Sequence, residues 1–339
     1  MTDPGPDLEP EPAEAPKRSS GRIRNLLVKA FPPVFYGLLL VFLAVYIVSV
    51  DWSVLEDITF QVWPLVVATI VSLGFRYWGI GIWFLLLRRL GGTDLRGHYR
   101  ELSYIYAKSW LGRYIPGAAT WILGKVYFAS RHGVPRARLA VSGLLEGALQ
   151  ILATLIVGLA LVLLDPRAAS IEGWVRWSLV GLLVAGVIVL IPPVFSRLLQ
   201  FAMRLLRRNP LAAEDLPGWR VIGEGVGLYA VGVLLTGVSY YLVVVAINPQ
   251  TGVEDLLYIV GAASLASAVS MVAVFAPGGI GVREGTLALL LAAVMPSQIA
   301  LVIVVVLRVW SVAVDLLFYV VAWAARPRSL RPGKEPADA

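Results

Sequence analysis

One stretch of forty residues decides how this chain folds: residues 256–295 read LLYIVGAASLASAVSMVAVFAPGGIGVREGTLALLLAAVM. The stretch is apolar almost throughout, but a helix that crosses a bilayer needs only about 20 residues. The run Pro277-Gly278-Gly279-Ile280-Gly281 breaks it near its centre, and each half is then too short to cross comfortably. Irregular backbone is tolerated at membrane depth only beside protein or water. The stretch therefore predicts a re-entrant hairpin, which leaves the membrane on the side where it entered.

Residues 100–130 predict another hairpin of the same kind; in chain order it is the first hairpin, and residues 256–295 form the second. Pro116 and Gly117 break this stretch in the middle, and four basic residues interrupt its apolar character: Arg100, Lys108, Arg113 and Lys125.

The composition identifies an integral membrane protein. Of 339 residues, 58% are hydrophobic and 15% are charged, and the mean hydropathy is +0.77. A soluble domain usually carries about 25% charged residues, so this chain has too few to cover a water-facing surface. Scanning for apolar stretches of spanning length predicts six transmembrane helices, at about 33–50, 62–87, 137–164, 176–196, 222–247 and 298–323.

The chain has no cysteine and only two histidines, His98 and His132. Disulfides and thiol catalysis are therefore excluded, and zinc and iron–sulfur sites are disfavoured. We expect no metal and no cofactor. The net charge of +7 would suggest nucleic acid in a soluble protein. In a membrane protein it reflects cytoplasmic loops beside anionic lipid instead, so we expect no nucleic-acid partner.

Loop charges predict that both termini are cytoplasmic. Basic residues crowd the N-terminal arm, the loops at 88–100, 131–138 and 197–220, and the C-terminal tail, whereas the remaining loops carry few or none. We expect a multi-pass protein of the cell (plasma) membrane. Its predicted parts are a disordered cytoplasmic arm (1–30), a membrane domain (31–325) and a cytoplasmic tail (326–339).

The predicted elements form an inverted repeat, with halves at about 31–164 and 176–323. From Pro116 to Glu146 is 30 residues, and from Pro277 to Arg308 is 31. Each half thus has a break followed, about 30 residues later, by a lone charge in the next helix. Inverted repeats with broken helices are typical of transporters that bind substrate at the repeat interface near the membrane midplane.

Charged residues inside the predicted membrane region carry the functional information. A charge at the midplane costs about 2.5–3.5 kcal/mol on insertion scales, so such residues normally face the bundle interior or an aqueous cavity. They could form a polar pathway for a charged head group. Alternatively they could be buried ion pairs, such as Glu146 with Arg308, that lock the halves together. The nine residues are Arg76, Lys108, Arg113, Lys125, Glu146, Arg283, Glu284, Arg308 and Asp315.

Basic residues outnumber acidic ones in this set, which favours an anionic partner, most simply a lipid phosphate. Lys125 and Arg283 each follow a hairpin break closely, where the N-terminus of a half-helix would attract an anion. Glycines such as Gly278, Gly279 and Gly281 would let a phosphate approach the backbone, although such breaks also serve packing. The predicted head-group residues are Arg76, Arg113, Lys125, Glu146, Arg283, Glu284 and Arg308.

Two motifs resemble a known family, the lysylphosphatidylglycerol synthase transmembrane region, also called flippase-like or UPF0104 proteins. The first is Gly112-Arg113-Tyr114-Ile115-Pro116-Gly117, continuing through Trp121 to Gly124-Lys125; the second is Ala276-Pro277-Gly278-Gly279-Ile280-Gly281-Val282-Arg283-Glu284-Gly285. The resemblance covers roughly residues 30–325. It implies a polytopic domain, which in the large lysyl-lipid synthases moves the modified lipid between leaflets.

The chain departs from this family in two ways. Many members have Glu-Arg on the third helix, whereas here Gly147 follows Glu146, which puts the head-group preference in question. The sequence also contains no soluble aminoacyltransferase domain, so we do not expect a complete synthase.

Three functions remain open. The leading one is a lipid translocase that moves an anionic phospholipid or polyprenyl-phosphate-linked lipid between leaflets. The second is a non-catalytic membrane subunit for a lipid-modifying enzyme. The third is a membrane glycosyltransferase that uses a lipid-linked sugar. The sequence shows no nucleophile or metal site, which weighs against an enzyme but leaves that question open.

Overall fold

The computed structural model describes residues 60–89, 98–114, 125, 136–205, 216–273, 279 and 281–327. Within these ranges all regular structure is helical and comprises nine α-helices and several short 3₁₀ segments. The helices are α1 (Val62–Arg89), α2 (Tyr99–Leu111), α3 (Arg136–Leu164), α4 (Gly173–Val189), α5 (Pro192–Leu205), α6 (Trp219–Ile247), α7 (Leu256–Val272), α8 (Val282–Leu291) and α9 (Ser297–Ala324).

Four predicted transmembrane spans coincide with long apolar helices. Each of α1, α3, α6 and α9 begins and ends within three residues of its prediction. Their length and apolarity suffice to cross a bilayer. The predicted span at 33–50 lies outside the described residues, as do the N-terminal arm and residues 328–339 of the tail.

The predicted span at 176–196 is wrong in its second part. The helix stops at Val189, and α5 leaves at an angle of 86° after a break of two residues. Pro192 and Pro193 explain the break, because proline has no N–H and its ring excludes a helical residue before it. The 17 residues of α4 reach the lower limit for a spanning helix, and α5 runs across its axis.

The stretch at 256–295 folds into two antiparallel helices, α7 and α8. The Tyr258 hydroxyl at the start of α7 donates a hydrogen bond to the Leu290 carbonyl near the end of α8, at 2.9 Å. Positive φ angles at Gly279 (68°) and Gly281 (86°) turn the chain between them. The prediction that each half is too short to cross is wrong for the first arm: with its preceding turn, Val253–Val272 is long and apolar enough to cross a membrane.

The stretch at 100–130 begins with α2 and a 3₁₀ turn at Gly112–Tyr114. Its predicted break at Pro116 and Gly117 lies outside the described residues.

Helices α1 and α6 run antiparallel along their whole length. The Gln61 amide donates to the Ala246 carbonyl at 2.8 Å, and at the other end Arg89 pairs with Glu224 at 2.7 Å. We call the end with Arg89 and Glu224 the basic end, because Arg88 and Arg220 also lie there. The opposite end carries the turns that precede α4 and α7.

The two predicted halves pack against each other, and in each case a hairpin helix of one half contacts the last helix of the other. Helix α7, the first arm of the second hairpin, packs against α3, the last helix of the first half. A Cβ atom at Gly158 would lie 2.9 Å from the Leu265 backbone nitrogen, so the two backbones touch. Conversely α2 packs against α9, where the Tyr104 and Tyr319 rings lie with their centroids 6.1 Å apart and their planes tilted by 34°. The hairpin arm of each half thus packs on the final helix of the other.

Candidate functional site

A cavity of about 890 Å³, counting the space at its mouth, lies among α1, α2, α3, α6, α7, α8 and α9. Both predicted halves contribute to its wall. The charged residues that line it are Arg76, Arg283, Arg308 and Asp315. Uncharged polar side chains complete the polar wall: Ser72, Gln150, Thr154, Thr236, Ser264, Ser267, Ser270 and Ser311.

Asp315 on α9 accepts hydrogen bonds from three elements. Arg76 on α1 donates to it through Nε at 2.7 Å and Nη2 at 2.5 Å. The Trp110 indole donates at 3.0 Å and the Tyr114 hydroxyl at 2.6 Å. A buried carboxylate needs such partners to remain charged. Asp315 therefore ties α1, the end of α2 and α9 together at one wall of the cavity.

Arg308 on α9 is paired with the second hairpin. Its Nη1 donates to Glu284 Oε1 at 3.3 Å, and Glu284 Oε2 accepts the Gly281 backbone N–H at 2.7 Å. The carboxylate thus caps the first turn of α8 and neutralises much of the Arg308 charge. On its other side the Arg308 guanidinium lies 5.7 Å from the centre of the Tyr114 ring.

Arg283 on α8 differs from the other two cavity arginines. It donates to the Tyr240 hydroxyl on α6, and its guanidinium lies 4.9 Å from the centre of that ring. It forms no ion pair with any carboxylate in the part of the chain that the structure describes. Since Arg76 is neutralised by Asp315 and Arg308 by Glu284, the described wall of the cavity carries one uncompensated positive charge, on Arg283.

Lys125 and Glu146 lie outside the cavity wall. The Lys125 ammonium contacts Glu146 Oε2 at 2.6 Å and lies 3.9 Å from the centre of the Tyr106 ring, and both charged side chains are only 1% exposed. The Tyr106 hydroxyl also donates to Glu146 at 3.1 Å. Helix α3 is thereby joined to the first predicted hairpin.

The suggested pairing of Glu146 with Arg308 is wrong. Glu146 pairs with Lys125 and Arg308 with Glu284. Each of these two ion pairs lies within one predicted half. It joins a residue of the predicted hairpin to a residue of the helix that follows it. Equal spacing from the two breaks indicated similar depth in the bundle, but side chains pair only when they also share a face.

The hairpin breaks are described only in part. Pro116, Gly117, Pro277 and Gly278 lie outside the described residues, as does the side chain of Arg113. A Cβ atom at Gly279 would lie 2.6 Å from the Ser270 Cβ atom on α7. Close packing against α7 therefore explains that glycine without a ligand.

Asp315 is one of the nine predicted membrane charges but not one of the predicted head-group residues, and Trp110, Tyr114 and Tyr240 were not predicted at the site. Asp315 gave a usable signal, because it is an isolated carboxylate in a long apolar helix, which is rare without a buried partner. The aromatic residues gave none, because tryptophan and tyrosine are common at membrane interfaces.

The comparisons with known proteins agree with this architecture. The model of one protein family, the lysylphosphatidylglycerol synthase TM region, matches residues 34–318. The chain belongs to this family. The match covers α1 to α8 and most of α9, and hence every cavity-lining residue. No curated protein matches the chain.

Membership of the lysylphosphatidylglycerol synthase TM family places the chain among multi-pass membrane proteins that act in lipid metabolism or translocation and contact membrane lipids. The resemblance seen in the two hairpin motifs is thereby confirmed.

Proposed function

We propose that this protein is a lipid translocase, which moves an anionic phospholipid or a polyprenyl-phosphate-linked lipid between leaflets. The observation that carries the proposal is the cavity inside the helix bundle, where Arg283 has a hydroxyl partner but no described carboxylate partner. An unpaired cation at membrane depth is costly and is normally retained for an ion or substrate path.

The charge balance of the cavity selects an anion. Three arginines face it, and the acidic groups beside them, Asp315 and Glu284, are already engaged in hydrogen bonds. Arginine presents several N–H donors in a planar fork that matches phosphate oxygens. In this proposal Arg283 holds the phosphate first, and Arg308 is drawn toward it from its longer, 3.3 Å contact with Glu284.

The lining of the cavity suits a head group with the acyl or prenyl chains left in the bilayer. Its wall carries serine, threonine and glutamine side chains as well as the charged ones. The uncharged polar wall offers further hydrogen-bonding groups to a head group. A bilayer presents none in its hydrocarbon core, and this difference is the barrier that a translocase lowers.

In the proposed mechanism the two halves form an inverted repeat with re-entrant hairpins, and the site lies at their interface. Two observations support this. The Tyr258–Leu290 contact returns α8 to the end at which α7 began, and the hairpin arms pack on opposite halves. In transporters of this type, rocking of one half against the other opens the site to each side in turn.

The experiment that tests the proposal is interleaflet transport by the purified protein in liposomes. Fluorescent phosphatidylglycerol and a fluorescent polyprenyl phosphate serve as probes, and dithionite quenches only the outer leaflet. We expect rates well above those of empty liposomes. Arg283→Gln should slow transport about tenfold or more, because a charge-assisted hydrogen bond is worth about 1.5–3 kcal/mol.

Arg176→Gln is the matched control. Arg176 is an exposed arginine on α4, away from the cavity, so its removal should leave the rate unchanged. A wild-type protein that transports neither probe would refute the translocase. Transport that is equally fast in Arg283→Gln would refute the cavity as its path. Formation of a glycosylated product, or dependence on a co-purifying enzyme, would favour the enzyme or the subunit instead.

A further inference from the structure

Helix α5 has three distinct faces. The first packs on the bundle: Phe195 and Leu199 are buried in a cluster with Leu86, Val141 and Ile222. These partners lie in the last turns of α1 and the first turns of α3 and α6. Helix α5 is therefore held at the basic end.

The second face of α5 is apolar and exposed. Leu198, Phe201 and Leu205 follow one another at helical spacing, with 48%, 64% and 75% of each residue exposed. Nothing among the described residues covers them. The 86° bend before α5 turns the helix away from the axis of α4. A helix that lies across a spanning helix at the end of a bundle runs along the membrane surface, where such a face enters the bilayer.

The third face of α5 is basic. Arg197 and Arg204 are exposed, lie two turns apart on one side of the helix and form no ion pair within the described part of the chain. At 100° per residue they adjoin the apolar face formed by Leu198, Phe201 and Leu205. Arginines at that position meet phosphate groups when the apolar face is inserted.

We propose that α5 is an interfacial helix that binds anionic lipid head groups in the leaflet at the basic end. Its apolar face inserts below the head groups, while Arg197 and Arg204 contact phosphates from the side. The positive-inside distribution assigns this end to the cytoplasm, where bilayers carry anionic lipid. The binding surface is separate from the cavity, and the proposal does not require that the protein transport lipid.

The absence of cysteine from the chain allows a direct test with single-cysteine variants. Leu198→Cys, Phe201→Cys and Gln200→Cys are each labelled with bimane and placed in liposomes. Residue 200 is the control, because it is turned away from the apolar face. Lipids brominated near the top of the acyl chain should quench the labels at 198 and 201, whereas aqueous iodide should quench only the label at 200.

The lipid preference is measured at residue 201 with brominated phosphatidylglycerol and brominated phosphatidylcholine at equal mole fractions. Phosphatidylglycerol should quench more strongly, and the double variant Arg197→Gln/Arg204→Gln should lose the preference. Each basic residue near an anionic surface contributes about fivefold in binding.

Two results would overturn the proposal. Quenching of residue 201 by iodide but not by brominated lipid would show that the face is exposed to water. Equal quenching by the two lipids in the wild-type background would remove the anionic preference. If Phe201→Cys fails to fold, Leu205→Cys on the same face replaces it in both measurements.

Discussion

Arg76 and Asp315 form a buried ion pair that joins the first and the last helices of the described bundle. Their side chains are separated by 239 positions in the sequence, yet two guanidinium nitrogens contact one carboxylate oxygen at 2.5 and 2.7 Å. Because Trp110 and Tyr114 donate to the same carboxylate, the pair also holds the end of α2 and the 3₁₀ turn that follows it in place. The cavity wall thus depends on contacts that no single helix supplies.

Replacing Asp315 with asparagine should lower the free energy of unfolding by about 3–5 kcal/mol. The change leaves the Arg76 cation buried without its counter-ion, and such losses fall in this range. Thermal or denaturant unfolding in detergent measures the effect. Arg220→Gln is the control: this arginine pairs with Glu224 but 75% of its side chain is exposed, so the change should have little effect.

The Lys125–Glu146 pair should show strong coupling in a double-mutant cycle. Lys125→Met or Glu146→Leu alone should each cost about 3–5 kcal/mol, because one buried charge is stranded. The double variant should recover a large part of that loss. A parallel cycle for Glu146 and Arg308 should be additive, since they have different partners. Coupling of Glu146 with Arg308 instead would contradict the described pairing.

Gly158→Ala should weaken the contact between α3 and α7. The added Cβ would lie 2.9 Å from the Leu265 backbone nitrogen and 3.0 Å from its Cγ atom, so the helices must separate. We expect a loss of stability of about 1–3 kcal/mol, as for other overpacked sites. Gly181→Ala on α4 has no heavy atom within 4 Å of the new Cβ and should leave the melting temperature unchanged.

Gly281→Ala tests the backbone at the second break. The residue has φ of 86°, which L-residues adopt at a cost of about 1–3 kcal/mol, so the variant should be destabilised by that amount. Gly285→Ala, one turn later in α8, meets open space and should be neutral or slightly stabilising. Equal melting temperatures for the two variants would argue against a conformational requirement at Gly281.

Single cysteines at positions 251 and 296 should be labelled by an impermeant maleimide from the same side of the membrane. These positions flank the second hairpin, so a re-entrant path requires this result. A cysteine at Arg220, at the basic end, should be labelled only after the membrane is opened. Labelling of 251 and 296 from opposite sides would show that this segment crosses the bilayer, and it would contradict the predicted inverted repeat.

Much of the fold could be predicted because a bilayer imposes a length on every crossing. The ends of α1, α3, α6 and α9 follow from counting apolar residues. The bend before α5 could have been predicted as well, because Pro192 and Pro193 are visible in the sequence. Counting apolar residues alone did not treat these prolines as a helix break. The start of α7 at Leu256 agrees with the predicted stretch, but the turn at Val253 extends the apolar segment to a length that can cross a membrane.

The site was less predictable for a geometric reason. Depth along a helix can be counted from the sequence, which is why Arg76, Arg283 and Arg308 were recognised as membrane charges. Which of them share a face depends on how helices rotate against one another. The packing of the helices determines which side chains meet. In the structure Glu146 lies beside Lys125, and Arg283 lies beside Tyr240.

The packing of α3 on α7 also constrains the order in which the protein can fold during synthesis. The ribosome completes α3 well before it begins α7, so the face of α3 around Gly158 must wait in the membrane without its partner. A nascent chain that stops before residue 256 would keep that close-packing surface open to other helices and to proteases of the membrane. The close contact between α3 and α7 can therefore form only after α7 has been synthesised.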